Sequence, residues 1–371
     1  MDPLDLRADV PAFAGATYLN FGAHGPSPRR VVEAANGMLT DHEYGSGRSN
    51  PYTVAFEFYD EVRARIAAFI GAEASEEVAL TESTTDGIAR IATAIDWEPG
   101  DVVVRTDLEH PAGVLPWKRL ERDGVEVRVL ETTDGRIDRE AYQEAIADAR
   151  LVCFSALTWT HGTVLPVRDL VEIATDAGAF TLVDAVQIPG HLPMDVTEWG
   201  ADAVAAAGHK WPLGPWGSGF LYVDREVAAE LAPPAVGYRG VTDPTDGEIE
   251  YEPGAKRFEV GTTSPAPHAG LRAALDAVEA VGIGTIESRI ERLTQRFKSQ
   301  IDADRLMSPE EFESGLVTVA CEDPTATVER LAEADIVIRS LPYPEAVRVS
   351  IHAVSTEAEV DAAASALMSE P

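Results

Sequence analysis

Residues 203–223 read AVAAAGHKWPLGPWGSGFLYV, two apolar runs on either side of a turn that holds one lysine. The first run is small and apolar, as a strand covered on both faces requires. The second, GFLYV, has the aromatic and branched residues of another strand. Gly208, Gly214, Gly217 and Gly219 let the chain turn tightly between them and approach a ligand closely. Lysine is scarce: the chain holds only Lys118, Lys210, Lys256 and Lys298, and arginine supplies the rest of its 30 basic residues. A guanidinium stays protonated. An amine at a strand end, its pKa lowered by burial or nearby positive charge, can condense with an aldehyde. A surface lysine is the ordinary alternative, and the glycines and Trp211 around Lys210 argue against it.

Upstream, EVALTES, GDVVVRTDLEH, VEVRVLE, ARLVCFSALTW and AFTLVDAVQ read as strands. Helical patterns separate them, among them TTDGIARIATAIDW, where Ile88, Ile91 and Ile95 fall on one face. This alternation predicts an α/β protein with a mostly parallel, helix-covered sheet and its sites at the carboxyl ends of the strands. After about residue 235 the pattern changes to a loop-rich stretch and then a helix from Leu271 to about Ile301. Strand GLVTVACE, helix TATVERLAEAD, strands IVIRS and AVRVSIHA, and a final helix follow. Thr356 and Glu359 make a capping box for that last helix. A large domain over 15–250 and a smaller α/β domain of 1–14 with 251–371 are expected.

With 63 acidic against 30 basic residues, the formal net charge is −33 over 371 residues. Such a field repels nucleic acid and anionic membrane surfaces. The acids are spread along the chain, and 45% of residues are hydrophobic, so this is a folded protein with an acidic surface. That surface suits a salt-rich cytosol, where counterions screen self-repulsion. No basic or apolar leader opens the chain, and no apolar run reaches membrane-spanning length, so a cytoplasmic location is expected. Cys153 and Cys321 lie in apolar runs and read as small buried hydrophobes, not as a disulfide or a metal cluster. No metal site is expected.

Four places beyond strand ends carry chemistry. Thr84 and Thr85 stand at a helix N-terminus that favours a phosphate, though ordinary capping would also explain them. Asp184 ends an apolar strand, where a carboxylate needs a partner: a pyridinium N–H, or the backbone of the next turn. Gln187 can reach a phenolic oxygen on the same ring. Lys210 is the amine described above. His110, just past a buried strand, can stack on an aromatic cofactor, move protons, or serve structure alone.

In order and spacing, VDAVQ followed by GHKWPLGPWGSGFLYV resembles the class-V aminotransferases, pyridoxal-phosphate (PLP) enzymes of fold type I. The nearest likeness is to the branch of cysteine desulfurases, selenocysteine lyases and isopenicillin-N-epimerase-like proteins. It runs from TYLNFGAHGPSP to AVRVSIHAVS. The resemblance implies a PLP cofactor bound as a Schiff base to Lys210, with Asp184 on the ring nitrogen, Gln187 on the ring hydroxyl and His110 on the ring face. It implies that Thr84, Thr85 and His209 hold the phosphate, and that Gly261 and Thr262 reach the phosphate of a neighbouring subunit in a homodimer. Arg348 would pair bidentately with the substrate carboxylate.

Some positions depart from the family pattern. Desulfurases carry a catalytic cysteine on the loop between the last two strands, where this chain reads RSLPYPEAVR. Ala207 stands where a serine commonly helps hold the phosphate, and Trp159 or a neighbour stands where relatives often have asparagine. Trp159, His161 and Arg339 are expected to steer the reaction after the Cα proton leaves, with Lys210 as its base. The leading expectation is an aminotransferase acting on an α-amino acid. The alternatives are a desulfurase-like or selenocysteine-lyase-like C–S lyase, an epimerase, or a non-catalytic binding protein.

Overall fold

The middle strands of the main sheet are buried along nearly their whole length, because helices cover both of its faces. The computed structural model describes residues 1–369 except Asp246. The strands are β1 (Val78–Thr81), β2 (Val102–Thr106), β3 (Glu126–Leu130), β4 (Leu151–Ser155), β5 (Phe180–Asp184), β6 (Ala203–Ala207) and β7 (Gly219–Val223). They lie in the order β1-β7-β6-β5-β4-β2-β3. Only β7 runs antiparallel to its neighbours. Successive side chains serve opposite faces: Val152 and Phe154 join one core, Leu151 and Cys153 the other. The carboxyl ends of β4, β5 and β6 therefore place Ser155, Asp184 and Ala207 along one edge.

Helix Thr84–Ala94 begins above that edge, at the end of β1. Its cap is Ser83, whose Oγ accepts from Asp86 N–H at 3.2 Å, so capping does not explain Thr84 and Thr85. Ile88 and Ile91 are buried on its inner face. Gly87 lets the helix settle on β6, since a Cβ there would lie 3.1 Å from that of Ala205.

A second lobe carries an antiparallel sheet in the order β9-β10-β8, formed by β8 (Leu316–Ala320), β9 (Arg339–Pro342) and β10 (Glu345–Ser350). Phe297, Val317, Val349 and Val360 are among its core residues. The expected capping box forms, with Glu359 N–H donating to Thr356 Oγ1 and Thr356 N–H to Glu359.

Three details differ from the sequence reading. The long helix is two, Pro265–Val281 and Ile283–Lys298, because Gly282 breaks the run at φ 88°. The first of them packs into the main core through Leu271 and Leu275. IVIRS divides as well: Ile336–Val337 leaves the three-stranded sheet to pair in parallel with Thr17–Tyr18. Cys153 is buried as expected, whereas Cys321, past the end of β8, is only half-buried. No described helix is long and apolar enough to cross a membrane.

Candidate active site

A cavity of about 170 Å³ opens at the strand-end edge. Thr84, Thr85, His110, Trp159, Asp184, Gln187, His209, Lys210, Arg339 and Arg348 all line it. Residues more than 260 positions apart in the chain, from Thr84 to Arg348, are thus gathered around one space.

Asp184 ends β5 and is buried. Its Oδ1 accepts from Val186 N–H at 2.9 Å, so the turn satisfies one oxygen and leaves the other without a protein partner. Burial raises its pKa, and that hydrogen bond and the Lys210 charge pull the other way. Lys210 follows β6 and keeps accessible surface where it lines the cavity. It makes no ion pair among the described residues. Desolvation lowers its amine to about 7; Arg348 and Arg339 push the same way, and Asp184 opposes them. A lysine held near neutrality can act as a nucleophile and as a base.

His110 Nδ1 accepts from Ala112 N–H at 3.3 Å, so its proton sits on Nε2. Its ring stands edge-on to Trp159, 5.3 Å between centroids. Burial above all, then the Lys210, Arg339 and Arg348 charges, keep it neutral with a pKa of about 4. His209 is lowered to about 4 by burial and by Lys210.

Arg348 on β10 is fully buried. One terminal nitrogen donates to Trp159 O at 2.9 Å, while Nε and Nη2 have no partner. Arg339 lies opposite it in the hairpin, its guanidinium 5.4 Å from the Trp159 ring centre. Unpartnered buried donors are costly unless a ligand meets them, and a guanidinium edge fits a carboxylate. Thr84 Oγ1 is likewise buried without a partner, beside a helix N-terminus.

Gly261 and Thr262 do not line the cavity within this chain. His161 does not reach it either. The turn closed by Thr158 N–H to Thr163 O directs Trp159 inward, whereas the His161 ring bonds Thr160 Oγ1 and packs over Gly135. Sequence reasoning missed Gly22, Ala23, Ser83 and Ser155, which also line the cavity. At Gly22 a Cβ would lie 2.8 Å from an Arg348 nitrogen. The FGAHGP stretch was the available signal for that close approach. Glu109, beside His110, was also passed over. It is buried and accepts from Ser155 Oγ at 2.7 Å and Thr106 Oγ1 at 2.6 Å. Burial pushes it up to about 7 despite those two donors, and nearby Asp184 adds to the rise.

These features suit an aromatic, phosphate-bearing aldehyde. An apolar cavity of about 150 Å³ holds a benzene ring. Here a comparable space offers an amine near neutrality, a carboxylate oxygen, an anion-favouring helix end and unpartnered donors.

The family model for class-V aminotransferases matches residues 17–363. A probable cysteine desulfurase of Methanothermobacter thermautotrophicus is 34% identical over 303 residues, 81% of this chain and 76% of that protein. The apo structure of a cysteine desulfurase from Thermococcus onnurineus NA1 superposes with a TM-score of 0.91 at 28% identity, covering 99% of this chain and 97% of that one. The cystine C–S lyase C-DES, solved with its reaction product cysteine persulfide, gives 0.90 at 26% identity over 97% and 99% of the two chains. C-DES has also been solved with glycine covalently linked to its PLP cofactor.

Proposed function

The chain belongs to the class-V aminotransferase family, and from that premise we propose that it is a PLP-dependent C–S lyase acting on a cysteine-type α-amino acid. The carrying observation is a likeness to cysteine desulfurases and a cystine lyase in a chain whose cavity holds no thiol. The 339–348 hairpin has no cysteine. Cys153 is packed in the core, its thiol held well above the usual range by burial, and Cys321 lies outside the cavity. Sulfur therefore departs as a small molecule and not onto the protein. Transamination, the leading expectation from sequence, has less support, because these relatives are named for C–S chemistry.

In this reading Thr84, Thr85 and His209 hold the cofactor phosphate, His110 covers the ring, and Asp184 keeps the ring nitrogen protonated. Arg348 takes the substrate carboxylate through Nε and Nη2. Bound PLP supplies an electron sink for the pair left at Cα. Lys210 Nζ removes the Cα proton, which its lowered pKa permits near neutral pH. The Cβ–S bond breaks, and sulfur leaves with the bonding electrons. Arg339, stacked on Trp159, adds a second cation on the substrate side. Two chains associate, bringing Gly261 and Thr262 to a neighbouring cavity, and sedimentation of the holoenzyme tests this.

Holoenzyme given cysteine is expected to release pyruvate, ammonia and sulfide, and given cystine to release pyruvate, ammonia and cysteine persulfide. Lys210→Ala abolishes this release and, in protein kept free of amino acids, the visible absorbance of the lysine-linked cofactor. Conversion of the cofactor to pyridoxamine phosphate without sulfur release would overturn the proposal.

A further inference from the structure

Trp211, the residue after Lys210, lies in a stack of buried rings beneath the cavity that joins the two lobes. Its indole is 3.5 Å from the His191 ring, centroid to centroid, at an interplanar angle of 15°. His352 stacks on it at 5.7 Å and Phe21 on His352 at 4.8 Å.

Hydrogen bonds fix the direction of the polar groups in this stack. His191 Nε2 accepts from Gly315 N–H at 2.8 Å, so its proton is on Nδ1 and donates to Gln187 O at 2.9 Å. His352 Nδ1 accepts from Val354 N–H at 3.1 Å, so Nε2–H donates to Trp211 O at 2.9 Å. An indole N–H only donates, and it reaches Gln187 Oε1 at 2.7 Å. Gly22 O only accepts, and it takes one amide hydrogen from Gln187 Nε2 at 2.9 Å. A turned amide would set donor against donor at Trp211 and acceptor against acceptor at Gly22. The second hydrogen on Nε2 has no protein acceptor, and Gln187 lines the cavity.

We infer that Trp211 is a positioning residue, whose indole N–H fixes the Gln187 amide so that it offers the cavity a hydrogen and favours a bound ring with a deprotonated oxygen. The inference rests on the PLP reading above and adds a residue that never touches the cofactor. The lobes share in the arrangement, because Gly315 and Val354, both from the second half of the chain, orient the two imidazoles.

The test uses holoprotein carrying Trp211→Phe, which keeps a ring in the stack while removing the donor. With only the Gly22 carbonyl left to hold it, the amide turns in part of the molecules, and there the anionic oxygen loses its donor. The pH midpoint of the visible absorbance then rises by about half a unit to one unit, and PLP dissociates about three- to tenfold more readily. Gln187→Leu shifts the midpoint the same way, and the double variant shifts it no further. Benzothienylalanine at position 211 keeps the bicyclic shape without the N–H, and it replaces the Phe variant should that one not fold. An unmoved midpoint in the position-211 variants, or shifts that add to that of Gln187→Leu, overturns the inference. Wild-type protein that takes up no PLP overturns the functional reading instead, and is told apart by the absence of any visible absorbance.

Discussion

Arg348 shows how much a single side chain can disclose. Buried with two nitrogens unpartnered, it is organised for a planar anion that the protein itself does not supply. Arg348→Lys keeps the charge but loses the fork. A charge-assisted hydrogen bond contributes about 1.5–3 kcal/mol. Steady-state kinetics with cysteine should therefore show kcat/KM falling about 10- to 100-fold, mainly through KM. An unchanged KM would separate Arg348 from carboxylate binding. At this scale the sequence was legible where chemistry is written in residue type. Lys210, Asp184 and His110 stand at strand ends and reach one cavity. Ser155 was not legible, because packing between segments distant in the chain is what brings it to the cavity, and Gly22 left only the signal of FGAHGP. His161 misled because neighbouring residues in a turn face opposite ways.

Among elements, helix Thr84–Ala94 serves both stability and the cavity, and its cap separates the two roles. Ser83→Ala removes the bond to Asp86 N–H and should lower the unfolding free energy by about 1 kcal/mol, read from urea melts. The buried imidazoles make a second prediction, for the cofactor-free protein. His110, His209, His268 and His352 are lowered to about 4 and His191 to about 3, chiefly by burial. Unfolded histidine binds its proton near 6.5, so the unfolded chain takes up more protons below that pH. Stability is fully present above about 6.5 and falls as pH drops toward 4. Glu109, raised to about 7 by burial, acts in the opposite sense, losing stability as pH rises from the ordinary carboxyl range toward 7. Asp184, Asp202 and Glu77, also raised by burial, act as Glu109 does, and the five imidazoles outweigh these four carboxyls. Urea midpoints should fall between pH 6.5 and 4.5, and a flat profile would contradict the neutral ring stack. The strand–helix alternation was readable because hydrophobic period is local. The break at Gly282 and the departure of Ile336–Val337 from its sheet were not, since the partners that decide them are remote.

Across the whole molecule the dominant quantity is a net charge of −33. Several arginines are engaged in ion pairs, such as the buried Arg63–Glu259–Arg239 group, which leaves excess acid on the surface. Salt shortens the screening length from about 10 Å at 0.1 M to about 3 Å at 1 M. The melting temperature should therefore rise as potassium chloride is raised through that range, and a fall would show that the surface ion pairs outweigh the repulsion.

The pairing of Thr17–Tyr18 with Ile336–Val337 has a consequence for how the protein is made. Leu19 belongs to the second-lobe core, Phe21 packs on His352, and Gly22 walls the cavity, so residues made early await partners made much later. Synthesis proceeds from the N-terminus at about 5–20 residues per second. Through most of that interval the central sheet can assemble while the cavity lacks a wall and Arg348. Cofactor capture in its final form thus waits until β10 has been made, and a chain truncated before β10 is an open vessel however well its sheet has folded.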